Sequence, residues 1–385
     1  MTSRLSSYKR ALKIDLSESR SAILYGPRKV GKTTFLKLNF PKAVVIDLLK
    51  SEVRAEFQIH PEKLRQVVLE NPDKLYIIDE IQKTPQLLDE VHWCLENTEA
   101  QFILCGSSAR KLKRGAANLL GGRAFKYDMF PLTTKEIPDY DCDRIIQNGS
   151  IPQHYNSKNA QKFLKSYVDQ YLQEEIIEES KIRNLASFNK FLQVAALMNG
   201  ELLNYANVGS DCGVSGKTVR EYYQILEDTL LGFTLQPWAK VKTRKLIETA
   251  KFYLFDVGVI RYLKGISHIP AKTFEYGNSF ETLMINEVRA YISYHDKLES
   301  LAFWKTTSGF EVDLIIGNMK LACEFKSTDS ARKEHLKGLN ALLEEQTVKQ
   351  CYLISMDPTS RQLENGIRVL HYKKFLKELW SDKLF

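Results

Sequence analysis

The stretch Ala22-Ile-Leu-Tyr25-Gly26-Pro27-Arg28-Lys29-Val30-Gly31-Lys32-Thr33-Thr34 restricts what this chain can fold into more than any other. It is a short apolar run, a loop bounded by glycines, and the start of a helix. Glycine at both ends of the loop lets successive backbone N–H groups turn inward around a polyphosphate, and the following helix adds its positive end. Residues 26–34 are therefore expected to bind a nucleotide, with Lys32 on the β- and γ-phosphates and the Thr33 hydroxyl on Mg²⁺. Taken alone, the motif also fits an ordinary glycine-lysine loop before a helix. Lys74-Leu-Tyr-Ile-Ile78-Asp79-Glu80 weighs against that reading, because an apolar strand ending in two carboxylates is the second half of a P-loop site. Asp79 is expected to hold Mg²⁺ through water and Glu80 to polarise the attacking water. ATP and Mg²⁺ are the expected cofactors.

Around this pair the chain alternates short apolar runs with helical patterns. Residues 1–20 read as a helix and a turn. Ala43-Val-Val-Ile-Asp47, the carboxylate strand and Gln101-Phe-Ile-Leu-Cys105-Gly-Ser-Ser108 follow, separated by helices. Such alternation predicts a parallel sheet covered on both faces. It also fits the P-loop ATPases with an additional strand, in which the strand ending at Ser107 lies between the other two. Ser107 or Ser108 would then face the γ-phosphate as a sensor; the other reading is a plain strand-to-loop turn. Arg123, beside Gly121 and Gly122, has two readings. It reaches a γ-phosphate, its own or that of a neighbour in a homo-oligomer, or it pairs with a surface carboxylate.

The segments GPRKVGKTT, IIDEIQK, LCGSSARKL, GGRAF, MFPLTTKEI ending at Ile137, and KFYLFDVGV beginning at Lys251 together resemble a bacterial and archaeal AAA+ family. That family couples an N-terminal ATPase to a C-terminal domain of long unknown function. The resemblance extends from Ala22 to Lys326 and is most specific in the ATPase part. It implies an α/β fold: a P-loop AAA+ parallel sheet with helices on both faces, then a winged helix, then an α+β restriction-endonuclease-like domain. The corresponding divisions are 1–137 for the ATPase core, 138–186 for a helical lid or connector, 187–250 for the winged helix and 251–385 for the last domain. Within the connector, Phe163 to Ser180 reads as a charged helix.

Downstream, Phe188, Phe191, Leu192, Ala195 and Leu197 mark one amphipathic helix, and Leu202 to Asn207 begins a second. Gly213-Val-Ser215 predicts a turn with Ser215 capping a helix from Gly216 to Thr229. Val219, Tyr223, Leu226 and Leu230 form its apolar side and leave Lys217, Thr218, Arg220 and Glu221 opposite. This is the pattern of a helix-turn-helix. A hairpin from Phe233 to Phe255, carrying Lys240, Lys242, Arg244 and Lys245 in its turn, resembles a wing. Lys217, Thr218, Arg220 and those four basic residues are the candidate DNA contacts; packing against another domain or subunit is the alternative use of the same element.

The last third carries a second constellation. Asp313, Glu324 and Lys326 fall on consecutive strand patterns, and Glu324 and Lys326, two apart, share a face. Two carboxylates and a lysine at a sheet can hold Mg²⁺ and activate water against a phosphodiester. The arrangement resembles the PD-(D/E)XK nucleases, with Glu281 matching the helix carboxylate. Charges alternating with apolar residues on an edge strand give the same pattern without any activity.

Composition sets the remaining bounds. The 385-residue chain is too long for one core, and its 44% hydrophobic and 26% charged residues suit a soluble globular protein. No apolar run approaches the ~20 residues that span a bilayer, and the N-terminus lacks an apolar signal core, so a cytoplasmic protein without membrane contact is expected. The cysteines, Cys94, Cys105, Cys142, Cys212, Cys323 and Cys351, stand singly and are expected to be reduced thiols. A net charge of +8 favours an acidic partner such as DNA without establishing one. The expectation is thus an ATP-hydrolysing protein acting on DNA through a winged helix and a nuclease-like domain. An ATP-controlled DNA-binding regulator with an inactive scaffold, and an ATP-dependent protein-assembly module, are the alternatives.

Overall fold

A computed structural model describes residues 8–18, 20–107, 124–172, 184–238 and 244–385; the side chains of Tyr171 and Leu172 lie outside it. Two sheets organise the chain. The first has five parallel strands in the order β2-β3-β4-β1-β5: β1 (Ser21–Tyr25), β2 (Val44–Asp47), β3 (Leu75–Asp79), β4 (Gln101–Gly106) and β5 (Ala124–Asp128). Thus β4 does lie between the P-loop strand and the carboxylate strand. Helices α1 (Lys32–Asn39), α2 (Ser51–Ile59), α3 (Lys63–Leu69) and α4 (Leu87–Asn97) connect these strands. Side chains alternate across the sheet as strand geometry demands. Ile23, Tyr25, Tyr76 and Ile78 enter one core, while Ala22, Leu24 and Ile77 enter the core on the opposite face.

Of the helix and turn expected over residues 1–20, residues 8–18 carry no helix, and residues 1–7 and 19 lie outside the described residues. Residues 8–18 are an extended strap tied down by side chains. Arg10 Nε and the Ala11 N–H both donate to Glu136, and the Tyr127 hydroxyl meets the Asp15 backbone. A tie of this kind comes from residues more than a hundred positions away, which local helix patterning does not register.

After β5 come α5 (Cys142–Asn148), α6 (Pro152–Tyr155) and α7 (Ala160–Ser166). The charged helix expected from Phe163 to Ser180 ends its regular α geometry at Ser166 and passes into a π turn, Tyr167–Leu172. Its acidic end lies outside the described residues. Then α8 (Leu185–Leu197), α9 (Tyr205–Cys212) and α10 (Gly216–Asp228) follow. Ser215 caps α10 by accepting the Thr218 N–H, as its sequence predicts. On α8, Phe188, Phe191, Leu192 and Ala195 are buried, whereas Leu197 is exposed.

The second sheet is mixed and has eight strands in the order β12-β13-β11-β10-β9-β8-β6-β7. Its strands are β6 (Gly232–Pro237), β7 (Lys251–Leu254), β8 (Leu301–Lys305), β9 (Glu311–Ile316), β10 (Leu321–Lys326), β11 (Gln350–Ser355), β12 (Arg361–Gln362) and β13 (Arg368–His371). The hairpin expected as a wing is β6–β7, and it is not a separate unit. Gln236 and Pro237 pair in parallel with Ala302 and Phe303 of β8, so the hairpin extends the sheet that carries β8 to β13. Helix α11 (Val257–Leu263), the 21-residue α12 (Phe274–Tyr294), α13 (Lys337–Glu345) and α14 (Tyr372–Leu379) complete the chain.

Two close approaches explain parts of the KFYLFDVGV run. Asp256 is buried, caps α11 through the Val259 N–H, and also accepts from Ser150 N–H at 2.7 Å. Gly149 has φ +76° and would place a Cβ 2.2 Å from Asp256 Oδ1, so glycine is required there. Among the described residues, no helix is long and apolar enough to cross a membrane.

Candidate functional site

The phosphate loop links β1 to α1. Gly26 lies so close to the chain after β5 that a Cβ would stand 2.6 Å from the Met129 carbonyl, and Gly31 turns with φ +101°. Lys32 is buried, and its ammonium spans the loop, donating to the Gly26 and Pro27 carbonyls at 2.6 and 3.1 Å. The Thr33 hydroxyl meets Asp79 Oδ2 at 2.7 Å. Two oxygens from different elements therefore converge where the motif needs a cation. Thr33 and Asp79 would hold Mg²⁺, which when bound neutralises β- and γ-phosphate charge.

Glu80 follows in a left-handed turn, φ 59° and ψ 44°, which swings its carboxylate away from the line of β3. There it meets Gln82, whose amide donates both to Glu80 Oε2 and, at 3.1 Å, to Ser107 Oγ. Gln82 thus joins the water-orienting candidate to the sensor candidate. Sequence reasoning gave Gln82 no role, although it stands within IIDEIQK. Ser108 and Arg123 lie outside the described residues. Of the remaining loop residues, Pro27 and Val30 supply carbonyls to Lys32 and Arg10, Lys29 turns with φ 67°, and Thr34 lies in α1. Arg28 precedes that turn.

Arg10 has no motif to mark it in the sequence. Its guanidinium bonds the Val30 carbonyl at 2.6 Å, the Phe130 carbonyl at 2.6 Å and the Tyr294 hydroxyl at 3.3 Å, besides Glu136. The phosphate loop is thereby held against the end of α12.

Residues 18–138, which contain this loop and both carboxylates, match the AAA domain family. They form an AAA-type P-loop ATPase module. Residues 140–269 match a domain of unknown function (DUF8612), and residues 276–375 match another (DUF4143). An uncharacterized protein of Mycobacterium tuberculosis is 23% identical over 303 residues, covering 76% of this chain and 67% of its own. One from Methanocaldococcus jannaschii is 22% identical over 348 residues, covering 80% and 74%. Among solved structures, a Walker-type ATPase of Pyrococcus abyssi is 14% identical and covers 65% of this chain and 92% of that one, with a TM-score of 0.44.

Beyond the ATPase module, Glu281, Asp313 and Lys326 meet at a cavity of about 440 Å³ that Lys251 and Glu311 also line. The ladder between β9 and β10 stops at the Leu314–Cys323 pair. Past it the strands part, and Asp313 Oδ2 takes the Phe325 N–H at 2.8 Å. Lys326 Nζ lies 2.5 Å from Glu324 Oε1 and 3.7 Å from Asp313 Oδ2. Glu324 is only 7% exposed, and its other oxygen has no hydrogen-bond partner among the described residues. Burial, then the Asp313 charge, push the Glu324 carboxyl well above its usual range.

Glu281 projects from α12 into the same cavity. The Tyr253 hydroxyl donates to it at 2.6 Å, and burial followed by the Asp313 charge raises it to about 7, against the pull of Lys251. Lys251, 4% exposed, sits 2.5 Å from Glu311 and 3.8 Å from Glu281. Neither Lys251 nor Glu311 was selected from the sequence. The available signal for Lys251 is a charge opening an otherwise apolar strand.

The candidate nucleic-acid residues are dispersed. Lys217 and Arg220 are exposed on α10, Thr218 is half-buried, and Arg220 lies over the Tyr205 ring at 5.1 Å. Arg244 departs from the expected free basic turn. It is tied to Glu344, to Glu345 at 3.4 Å, and lies over Phe310 at 5.0 Å. The acidic end of α13 packs there, which the turn's own sequence does not reveal. Lys245 contributes its carbonyl to the Thr307 N–H at 2.9 Å. Lys240 and Lys242 lie outside the described residues. All six cysteines are buried and unbridged.

Proposed function

We propose that this chain is an ATPase acting on DNA, in which the AAA-type module is coupled to a helix-turn-helix and to a metal-dependent phosphodiester-cleaving site. The observation that carries the reading is the meeting of Asp313, Glu324 and Lys326, of which Asp313 and Lys326 line one cavity and Glu324 is paired with Lys326, with one buried Glu324 oxygen lacking a partner among the described residues. Asp313 and Glu324 are two hard oxygen donors on neighbouring strands, the ligand type that suits Mg²⁺ or Mn²⁺, while no group of three such ligands stands together among the described residues. Asp313 and Glu324 would hold the ion, which when bound polarises the phosphodiester and activates water. Lys326 would stabilise charge developing on the phosphate: burial by itself lowers its pKa, but Asp313 and Glu324 outweigh burial and keep the ammonium charged. In the ATPase module, Lys32 grips phosphate and Glu80, oriented through Gln82, positions the water. Lys217 and Arg220 offer phosphate contacts on α10.

The Lys326–Glu324 pair at 2.5 Å also favours a second reading, an ATP-controlled DNA binder whose last domain is a scaffold, because that pair competes with a metal. Nuclease assays on plasmid, single-stranded and branched DNA, in Mg²⁺ or Mn²⁺ and with or without ATP, separate the two. Cleavage by the wild type that Asp313→Ala abolishes supports the first; absence of cleavage of every substrate rejects it in favour of the scaffold.

A further inference from the structure

The cavity holding Asp313 and Lys326 has an aromatic lip. Phe274, the first residue of α12, lines it and is 73% exposed, an unusual setting for a phenylalanine on an ordered helix. Beside it are Lys272, which pairs with the exposed Asp329 at 2.7 Å, and Gly277, where an added Cβ would meet nothing nearer than Ser327 Oγ at 3.6 Å. The lip carries an exposed ring, and the lysines able to meet a phosphate, Lys251 and Lys326, line the same cavity. Lys251 is 4% exposed, and the Lys326 side chain is 35% exposed.

This depth decides which form of nucleic acid fits. The phosphates of a duplex lie on the outside of a stiff cylinder whose major groove alone is about 12 Å wide. Such a cylinder resting on the lip leaves its phosphates above the buried Lys251 ammonium. A single strand bends freely, and a cavity of about 440 Å³ is of the size that encloses one small-molecule unit such as a nucleotide. Its bases are unpaired and able to stack on an exposed ring.

We propose that the cavity takes an unpaired nucleic-acid strand, one base stacking on Phe274 while the adjoining phosphate descends toward Lys251 and Lys326. This rests on the reading of the cavity as a phosphodiester site and names the form of substrate that enters it.

The test is binding of fluorescein-labelled oligothymidylate, oligouridylate and a blunt DNA duplex to the full-length protein, read by anisotropy in EDTA so that cleavage plays no part. Phe274→Ala is expected to weaken the single strands about tenfold, the effect of losing one base–aromatic stack. Phe274→Trp restores affinity, and the duplex changes less than about twofold in either variant. Unchanged ATP turnover in Phe274→Ala reports an intact fold. Equal weakening of duplex and single strand, no weakening of either single strand, or wild type that binds no single strand overturns the proposal. A preference for thymidylate or uridylate assigns DNA or RNA within it. Because binding is read without metal, a protein that never cuts can satisfy this test, and a protein that cuts can fail it.

Discussion

Arg10 Nη1 lies 2.6 Å from the carbonyl oxygen of Val30, inside the phosphate loop, while Nη2 of the same side chain reaches the Tyr294 hydroxyl. One guanidinium from the N-terminal strap therefore holds the nucleotide loop and the end of α12 together. Its ion pair with Glu136 is buried on both sides. Arg10→Ala leaves Glu136 without its cation and removes the side-chain donor of the Val30 and Phe130 carbonyls, while the Tyr294 hydroxyl keeps the Phe130 N–H. We expect a destabilisation of about 3 kcal/mol, because removing one partner of a buried pair strands the other. Tyr294→Phe, which deletes one hydroxyl, costs about 1 kcal/mol. Urea midpoints check both, and equal small shifts would show that the guanidinium is not the anchor.

The roles proposed for Lys32, Glu80 and Gln82 separate by their expected effects on bound nucleotide. Lys32→Ala takes away the ammonium that meets the phosphates and abolishes binding of a fluorescent ATP analogue. Glu80→Gln binds the analogue but releases little phosphate, since only the water-orienting carboxylate is gone. Gln82→Ala keeps the affinity and lowers turnover about tenfold, because Glu80 and Ser107 no longer share a donor. Wild-type turnover in Glu80→Gln would remove Glu80 from the mechanism.

Gly149 offers a stability test. Alanine there combines an unfavourable positive φ with a Cβ 2.2 Å from the buried Asp256 carboxylate. A destabilisation of about 3 kcal/mol is expected, from backbone strain together with displacement of a buried cap. A thermal midpoint indistinguishable from wild type would contradict the close approach.

Glu287, in the middle of α12, accepts from Thr134 and from the Trp380 indole. Burial pushes it up to about 7, although those bonds favour its ionised form. Its folded pKa is raised, so its contribution to stability is complete below about 4.5 and is lost as pH rises through about 7. The shift corresponds to about 3 kcal/mol across that window. Glu287→Gln cannot titrate, so the fall in unfolding free energy between about pH 5 and about pH 8 should shrink by that order, whatever its absolute stability. Identical slopes in both proteins would assign the pH dependence elsewhere.

If α10 contacts duplex DNA, the salt dependence of binding identifies the residues involved. Replacing Lys217 and Arg220 with glutamine should flatten the slope of log affinity against log salt by about 2, roughly one unit for each phosphate that is no longer neutralised. Arg244→Gln should leave it nearly unchanged, because Glu344 and Glu345 already hold that guanidinium. A larger effect from Arg244 than from the α10 pair would reverse this assignment.

What the sequence determined by itself is local. The glycines of the phosphate loop, the two carboxylates closing β3, the Ser215 cap and the spacing of Glu324 and Lys326 are short-range patterns fixed by backbone sterics and by periods of about 3.6 or about 2 residues. The place of β4 between β1 and β3 in the first sheet was carried by the likeness to the P-loop ATPases with an additional strand, and not by any local period. Tertiary structure alone decided the convergences across long separations. Arg10 reaches Tyr294 across 284 positions, Lys251 meets Glu311 from a different hairpin, and β6 is drawn into the second sheet by β8. No helical or strand period carries such pairings, because a hydrogen bond between distant residues depends on where whole elements pack. Arg10 and Lys251 therefore read as ordinary surface charges in the sequence, and only burial beside a carboxylate reveals what they hold.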